Sequence, residues 1–216
     1  MNKKYNAGRF IDDLVNRYSS LSGSREQIEE SAVLLIETVK NGGKILICGN
    51  GGSSADAEHI VGELMKGFIR NRPLSTRQKA SLIEAGGETG KQMGELLQQA
   101  IPAVSLSTHV SLNTAILNDM DPSLIFSQQV LGLGKQGDLL WGLSTSGNSK
   151  NVVSAAIAAK AMGLNTLAMT GEKESRLSEI CTVCIRVNER ESYKIQELHL
   201  PVYHALCMIL EDYFFA

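Results

Sequence analysis

Apolar positions near the start of the chain recur with the period of an α-helix. Four of them have the spacing i, i+3, i+4 and i+7: Ile11, Leu14, Val15 and Tyr18. This stripe predicts an amphipathic helix over residues 7–22. Ser24 and Gln27 then have the spacing of a capping box, which predicts a second amphipathic helix that ends at residues 41–43. Both helices need an apolar surface to cover, either a sheet or a partner subunit.

Five short apolar segments interrupt the helical periodicity and predict buried β-strands. They are residues 45–48, 103–107, 137–143, 165–169 and 182–187. Helical patterns separate these segments, and a long one runs from Ser192 to Phe215. Strands that alternate with helices predict an α/β fold with a doubly wound parallel sheet of about five strands. Ligands of such sheets bind beyond the carboxyl ends of the strands.

Residues 73–102 differ in pattern from the rest of the chain. They are polar, contain Gly86-Gly87, and show short helical patterns over residues 76–85 and 91–100. The segment has too few large apolar residues to form a core of its own. We therefore interpret it as a helical insertion within a single domain that spans residues 1–216.

A glycine-rich turn follows the first predicted strand, at residues 49–54. A strand, a glycine turn and a helix start together direct backbone N–H groups at a bound anion. Asp56, His59 and Glu63 then share one face of the helix, which suggests an active site and not only a binding loop. The spacing matches neither the P-loop nor the dinucleotide fingerprint, which disfavours ATP and NAD. A turn that merely forms a tight corner is the alternative.

A second polar turn, at residues 144–149, follows the third predicted strand and precedes a helix. Its sequence, STSGNS, carries four hydroxyl groups. Hydroxyls at a helix N-terminus suit a phosphate that is held by neutral hydrogen bonds and the helix dipole. A serine helix cap is the alternative, and it accounts for one hydroxyl but hardly for four.

Composition narrows the classes of function. Apolar residues make up 43% of the chain and the net charge is −2, so there is no electrostatic case for nucleic acid or an anionic membrane as a partner. No apolar run is long enough to span a membrane, and Met1–Tyr5 does not resemble a secretory signal. Cys181 and Cys184 fall where a strand would point them to opposite faces, so we interpret the four cysteines as structural thiols of a reducing cytoplasm.

Several short motifs recur in an order that resembles one family. They are Cys48–Ser53, Asp56–His59, Glu63, Asn118-Asp119, Ser144–Ser149 and Ile195–His199. Together they resemble the sugar isomerase (SIS) domain family, most closely its phosphoheptose isomerase branch, over nearly the whole chain except residues 73–102. The resemblance implies a flavodoxin-like three-layer fold and a cytoplasmic homotetramer with active sites between subunits. It also implies isomerisation of sedoheptulose 7-phosphate to D-glycero-D-manno-heptose 7-phosphate, for the heptose of lipopolysaccharide.

The resemblance also assigns roles to individual residues. The implied phosphate ligands are Ser144, Thr145, Ser146 and Ser149. The implied contacts to the rest of the substrate are Asn50, Gly51, Gly52, Ser53, Asn118, Asp119 and Gln196. The implied zinc ligands are His59, Glu63, Gln196 and His204, with Glu63 and His204 also forming the acid–base pair. Tyr193 replaces a polar residue of the family, so that substrate contact is not expected here.

The residues agree with this chemistry independently of the resemblance. Moving a proton between two carbons through an enediol requires a carboxylate or imidazole on each side, which Glu63 and a histidine supply. Zinc would stabilise the enediolate, but a glutamate held firmly by zinc is a poor base and glutamine is an unusual ligand. We therefore expect either that Zn2+ is weakly held or that Glu63 leaves it during turnover. His199 flanks the apolar stripe of the last helix and is predicted to be a core histidine.

Two other functions stay open at this point. One is isomerisation of a different phosphosugar, because an insertion at the active-site end of a strand reshapes a pocket. The other is a non-catalytic SIS protein that binds a sugar phosphate or a partner protein. The branch of the family that binds the bacterial replication initiator lacks a carboxylate at the position of Glu63, so Glu63 favours an enzyme.

Overall fold

The computed structural model describes residues 7–216, so the prediction about a signal at Met1–Tyr5 lies outside the described residues. The strands are β1 (Ile45–Gly49), β2 (Ala103–Ser105), β3 (Leu139–Leu143), β4 (Asn165–Thr170) and β5 (Val183–Arg186). The helices are α1 (Ala7–Arg17), α2 (Arg25–Lys40), α3 (Gly52–Met65), α4 (Thr76–Leu96), α5 (Val110–Asp119), α6 (Ser127–Leu133), α7 (Lys150–Ala161), α8 (Arg176–Ile180) and α9 (Ser192–Phe215). Short 3-10 turns cover Ser19–Ser24 and Pro122–Leu124.

The five strands form one parallel sheet in the order β2-β1-β3-β4-β5. This is the flavodoxin-like order, and it confirms the predicted α/β, doubly wound sheet with two N-terminal helices and a long C-terminal helix. In the sheet, β2 lies on one side of β1 and β3 lies on the other side. Gly49 pairs with Leu143, so the turns after β1 and β3 lie side by side at the carboxyl edge. Both candidate loops therefore sit at the topological switch point, where such sheets bind ligands.

Alternate residues of each strand enter two separate hydrophobic cores. On β1, Ile45 and Ile47 pack in the core that includes residues of α1, α2, α3 and α9. Leu46 and Cys48 pack in the core on the other face, with residues of α7 and α8 and Val130 of α6. Because strand side chains alternate between faces, a fully apolar strand is buried on both sides. The result is the predicted three-layer sandwich.

The start of α2 differs from the sequence prediction. Ser24 is the N-cap residue, but its hydroxyl accepts no hydrogen bond from the helix, so the predicted capping box with Gln27 is wrong. The Ser24 hydroxyl instead donates to the carbonyl of Arg186 at 2.7 Å. This hydrogen bond, between residues 162 positions apart, gives the last carbonyl group of the edge strand β5 a donor. It therefore takes the place of the local cap of α2. The preceding helix also ends earlier than predicted, at Arg17, before the 3-10 turn.

Helix α4 is a helical hairpin and not a straight rod. Gly87 has φ of 57° and breaks it, and Gly90 in the second leg lies directly against the first. A Cβ on Gly90 would lie 1.8 Å from the carbonyl oxygen of Leu82, so only glycine permits this close approach. The second leg ends at Leu96 and not at residue 100, because Gln98 pairs with Pro73 in an antiparallel bridge. That bridge closes the base of the hairpin.

Arg72, next to this base, is completely buried. Its Nε donates to Glu211 Oε1 at 2.8 Å, and its two terminal nitrogens donate to the carbonyls of Leu64 and Glu63 at 2.7 and 2.9 Å. Glu211, equally buried, also accepts from the backbone N–H groups of residues 68–70. Both buried charges are thus hydrogen-bonded, and removing either one should cost roughly 3–5 kcal/mol of stability. The pair ties the end of α3 to α9.

The four cysteines are free thiols. Cys48 and Cys207 are buried, and Cys181 and Cys184 are partly buried. Burial raises the pKa of Cys181 to about 12, so its thiol stays protonated and unreactive near neutral pH. This supports the structural role predicted from the sequence. Within residues 7–216, every helix is too short or too polar to traverse a lipid bilayer.

Candidate active site

The two polar loops at the carboxyl edge contact each other through a pair of amide side chains. Asn50, after β1, donates from Nδ2 to Asn151 Oδ1 at 2.9 Å, and Asn151 returns a bond of 2.8 Å to Asn50 Oδ1. Asn151 lies in the first turn of α7, where its oxygen also accepts from the N–H of Val152. Gly51 has φ of 56°, a conformation that glycine adopts readily, and α3 begins directly after it. The two loops therefore form one continuous polar surface.

Residues 144–149, which we name the serine loop, are organised by their own hydroxyls. The buried Ser144 hydroxyl lies 3.0 Å from that of Ser149, and Ser146 Oγ accepts from the N–H of Asn148. Gly147 has φ of 64°, and a Cβ there would lie 2.1 Å from Ser175 Oγ. The N–H of Leu177 donates to the Gly147 carbonyl, so α8 braces the loop from behind. A small polar turn is thus held in a fixed shape at the start of α7.

A cavity of about 300 Å³ opens beside the serine loop. Its lining includes Thr145 and Ser146, both predicted from the sequence, together with Lys173 and Arg190, which were not. Three further lining residues are acidic: Glu172, Glu174 and Glu189. Arg190 is engaged by Glu172. Acidic side chains thus outnumber basic ones in the lining, so the cavity has no excess of positive charge.

The first turn of α9 closes over both loops. Ser192 Oγ lies 3.2 Å from Thr145 Oγ1, and Gln196 Nε2 donates to Ser53 Oγ at 3.4 Å. A Cβ on Gly52 would lie 2.7 Å from Gln196 Nε2, so the absence of a side chain at Gly52 makes room for the amide. One continuous set of contacts therefore joins the serine loop to four other residues: Asn50, Gly52, Ser53 and Gln196.

A second group of polar side chains lies further along the same two helices. We name it the α3–α9 cluster: Asp56, His59 and Glu63 from α3, with Tyr203 and His204 from α9. His59 Nε2 lies 3.1 Å from Glu63 Oε1 and 3.4 Å from His204 Nε2. Glu63 Oε2 is buried and accepts no hydrogen bond among the described residues, with Lys66 Nζ 3.5 Å away. The two predicted acid–base residues therefore both face one imidazole.

The surroundings of the cluster change its proton affinities. Burial lowers the pKa of His204, and the neighbouring His59 lowers it further, which favours the neutral imidazole. Burial raises the pKa of Tyr203, and the neighbouring Asp56 adds to the effect, so the phenol keeps its proton. Burial also raises the pKa of Asp56. His199, by contrast, is a core residue as predicted: it is fully buried, its Nε2 lies 3.3 Å from the Thr170 carbonyl, and burial lowers its pKa to about 4.

The predicted zinc ligands are only partly brought together. Ligands of tetrahedral zinc, with bonds of about 2.0–2.1 Å, lie about 3.3–3.4 Å apart, which is close to the spacings from His59 to Glu63 and His204. Imidazoles and a carboxylate are also suitable donors. Gln196, however, contacts Ser53, and no group of three or more His, Cys, Asp or Glu residues within 7–216 is arranged to hold a metal ion. The side chains are thus of a kind that binds zinc, and two of their spacings suit it. One chain alone does not bring the full set of four predicted ligands together.

Asn118 and Asp119 stand apart from both groups. They are exposed at the end of α5, where Asn118 Nδ2 donates to Asp119 Oδ1 at 2.8 Å. The described contacts join neither residue to the serine loop or to the α3–α9 cluster. Their predicted role in substrate binding stays a prediction.

Besides Lys173 and Arg190 of the cavity lining, sequence reasoning missed three residues that make hydrogen bonds at the site. Asn151 and Ser192 are polar residues in the first turns of their helices, where helix capping is the ordinary explanation. Tyr203 lies among apolar residues of α9 and resembles a core aromatic. Only the placement of α7 and α9 against α3 shows which groups these three side chains meet.

Comparison with known proteins agrees with this architecture. A family model described as the SIS domain matches residues 9–93 and 91–171. A phosphoheptose isomerase from Desulfovibrio desulfuricans is 39% identical over 188 residues, covering 87% of this chain and 77% of that protein. One from Akkermansia muciniphila is 35% identical, covering 92% and 91%.

Solved structures give the same result. Phosphoheptose isomerase from Francisella tularensis superposes with a TM-score of 0.72 and 25% identity, over 98% of this chain and all of that one. The enzyme from Neisseria gonorrhoeae gives a TM-score of 0.68 and 30% identity, over 93% and 98%. The chain belongs to the SIS domain family, in its phosphoheptose isomerase branch.

Proposed function

We propose that this protein is a phosphoheptose isomerase, which converts sedoheptulose 7-phosphate to D-glycero-D-manno-heptose 7-phosphate. The observation that carries the proposal is the meeting of Glu63 and His204 at His59, in a chain whose relatives are phosphoheptose isomerases. A non-catalytic SIS protein has no need for a buried carboxylate and a neutral imidazole at one point.

The reaction needs one proton to move between carbons and another between oxygens. We assign the carbon proton to Glu63, which takes it from C1 of the ketose and returns it to C2. His204 carries the proton that moves between the two oxygens, since its lowered pKa keeps a lone pair available near neutral pH. Each such transfer contributes roughly 10²–10⁴-fold to the rate.

The serine loop is proposed to hold the phosphate. Hydroxyls of Ser144, Thr145, Ser146 and Ser149 would donate to its oxygens, and the N-terminus of α7 would add its dipole. Asn50, Gly51, Gly52, Ser53, Asn118, Asp119 and Gln196 are the proposed contacts to the rest of the sugar. Fixing the phosphate positions the reactive carbons, which is how binding energy far from the chemistry accelerates it.

The active site is proposed to form between copies of the chain, in a homotetramer. Gly52 and Glu63 are separated by about 16 Å along α3, at 1.5 Å per residue. That length exceeds the distance from phosphorus to C2 in a seven-carbon sugar phosphate. We propose that the substrate places its phosphate in the serine loop of one copy and its reactive carbons at the α3–α9 cluster of another copy. The distance between these two sites would then be short enough for one sugar phosphate to span.

A complementation experiment tests this sharing of sites. E63Q and the double variant S144A/S146A are each expected to be nearly inactive at low substrate concentration. Mixed oligomers that are refolded or co-expressed together should regain a fraction of the activity, because some sites then contain neither defect. No recovery in mixed oligomers whose composition is verified by mass spectrometry would place each site within one chain.

Zinc is proposed as the metal, held by His59, Glu63 and His204, with Gln196 as the weakest ligand. When bound, zinc would act as a Lewis acid toward the two substrate oxygens. The expected result is that chelation lowers turnover and that zinc restores it. Full activity of exhaustively chelated protein, with zinc absent by elemental analysis, would remove the metal from the proposal.

The direct test of the function is an assay with sedoheptulose 7-phosphate in D₂O. The proton held by Glu63 exchanges in part with solvent before it is returned, so turnover through an enediol places solvent deuterium at C2 of a fraction of the aldose product. Proton NMR detects this as a reduced C2 signal beside the newly formed product. Other ketose and aldose phosphates serve as competitors for specificity. Binding of the heptose phosphate without exchange or turnover would identify a non-catalytic sugar-phosphate-binding protein.

Residues 73–102 are proposed to be an insertion within a single SIS domain. Only Gly90 and Gly94 of α4 are buried, and the bridge between Pro73 and Gln98 brings the two ends together. Deleting residues 76–96 and joining the ends with glycines should therefore preserve folding while changing substrate preference or oligomer stability. Preference among sugar phosphates and mass by light scattering are the measurements. If neither moves, the insertion has no part in either property.

The place of work is proposed to be the cytoplasm, where the four free cysteines stay reduced. The product would enter the synthesis of surface-polysaccharide heptose.

A further inference from the structure

Tyr203 is a buried phenol that contacts two histidines of the α3–α9 cluster, His59 and His204, and the carboxylate of Asp56. It lies on α9 directly before His204 and is fully buried. Its hydroxyl is 3.2 Å from Asp56 Oδ1 and 3.0 Å from His59 Nδ1. Its ring meets the rings of His59 and His204 edge to face, at centroid distances of 5.5 and 4.9 Å. The contacts leave the phenol little freedom to rotate away.

The hydrogen bonds of the phenol determine where His59 carries its proton. A phenol has one proton to donate, and an ionised carboxylate can only accept. The Tyr203 hydroxyl therefore donates to Asp56, and its lone pair accepts from His59 Nδ1–H. A neutral imidazole with its proton on Nδ1 presents a lone pair at Nε2.

The other side of His59 shows the consequence. Its Nε2 faces Glu63 Oε1 at 3.1 Å and His204 Nε2 at 3.4 Å. A lone pair so close to a carboxylate oxygen is unfavourable unless a cation lies between them or a proton is shared. In the opposite tautomer, Nε2–H would instead donate to Glu63 and block that position. The Nδ1–H tautomer thus leaves the space among the three side chains suited to a cation.

We infer that Tyr203 and Asp56 are a positioning pair that fixes His59 in the Nδ1–H tautomer, with Nε2 directed at the zinc position between Glu63 and His204. The inference rests on the proposed zinc site. Hydrogen-bond partners on the far side of a histidine ligand set its tautomer and orientation, and losing one typically lowers metal affinity 10–100-fold. Tyr203 is not in reach of the reacting atoms through this contact and acts through His59.

The first test measures the tautomer in metal-free protein. The chain has four histidines, so long-range ¹H–¹⁵N correlation spectra are simple, and H59Q assigns the signals of His59. Wild-type His59 is expected as Nδ1–H, and Y203F should shift it toward Nε2–H because the acceptor is lost. Nε2–H in the wild-type protein would overturn the inference, whatever the metal does.

The second test measures zinc affinity by competition with a chromophoric chelator. Y203F is expected to bind zinc 10–100-fold more weakly than the wild type, and D56N, which keeps an acceptor oxygen, is expected to lose less. Y213F, on the same helix but outside the cluster, should match the wild type. Thermal melting of each metal-free variant separates this effect from unfolding.

The outcomes distinguish this inference from the proposed function. Equal zinc affinity of folded Y203F and wild type overturns the positioning pair and leaves the zinc site intact. A wild type that isomerises the heptose phosphate but binds no zinc overturns the zinc site and the inference with it, while the isomerase survives.

Discussion

The serine loop and the α3–α9 cluster differ in the chemistry of their side chains. The first consists of neutral hydroxyls and the second of ionisable groups. The serine loop presents small neutral hydroxyls whose shape is fixed by short local bonds, such as that between Ser144 and Ser149. The cluster presents ionisable groups that come from two distant helices, with His59 meeting His204 across 145 residues. One region is organised by its own sequence and the other by the packing of α3 on α9.

This difference fits the proposed roles of the two regions, phosphate binding for the serine loop and proton transfer for the α3–α9 cluster. Neutral donors hold a phosphate without changing their protonation, so a local turn is sufficient. Proton transfer needs groups whose pKa values and orientations are set by burial and by neighbours, which requires a packed interface. Changes in the cluster should therefore alter kcat, and changes in the serine loop should alter KM.

The largest effect is expected for E63Q. The amide keeps the shape of the side chain but cannot accept the carbon proton, so kcat should fall roughly 10³-fold with KM within a few-fold of wild type. E58Q, an exposed change on the same helix, is the matched control and should retain full activity. Retained turnover by E63Q in the heptose phosphate assay would remove Glu63 from the mechanism.

The next effect is in the pH dependence of kcat. Burial and the neighbouring His59 lower the pKa of His204 below the ordinary value of 6.5, which favours its neutral form. We expect the midpoint of the fall in kcat to lie below pH 6.5, with a slope approaching tenfold per pH unit on the acid side. The profile is measured at saturating substrate. A midpoint at or above pH 6.5 would contradict a lowered pKa of His204 in this role.

A smaller effect, and on the other region, is expected for G147A. The added Cβ would lie 2.1 Å from Ser175 Oγ at a φ of 64°, so the serine loop must move. KM should rise at least about tenfold while kcat changes less. G132A adds a methyl group in open space on α6 and should be neutral. Unchanged KM in G147A would show that the loop shape does not matter for binding.

The smallest effect is expected for S146A. It removes one exposed hydroxyl, worth about 1 kcal/mol, so KM should rise about fivefold at unchanged kcat. S111A, an exposed serine on α5, is the control for loss of a surface hydroxyl. A fall in kcat with unchanged KM would mean that the serine loop takes part in chemistry, and the comparison between the regions would fail.

Sequence patterns predicted the sheet and the serine loop well because both depend on neighbouring residues. The apolar run at Ile45–Gly49 is buried on both faces, and its period alone indicates this. The capping box at Ser24 was wrong because its hydroxyl bonds to Arg186, which no local pattern encodes. The contact of Tyr203 with His59 was missed for the same reason, since it depends on how α9 packs on α3. Zinc and a tetramer depend on a metal and on other chains, which one sequence does not contain.

The buried pair of Arg72 and Glu211 has a consequence for how this branch of the family can vary. Arg72 lies just before the α4 hairpin and bonds both to Glu211 and to the backbone carbonyl of Glu63. The tip, at Gly86-Gly87, lies at the far end of the hairpin from this pair. We therefore expect that a longer tip, or a reporter domain inserted at Gly86-Gly87, leaves the position of the Glu63 carboxylate unchanged. Arg72 and Glu211 therefore hold the backbone of Glu63 in place independently of the conformation of the hairpin tip.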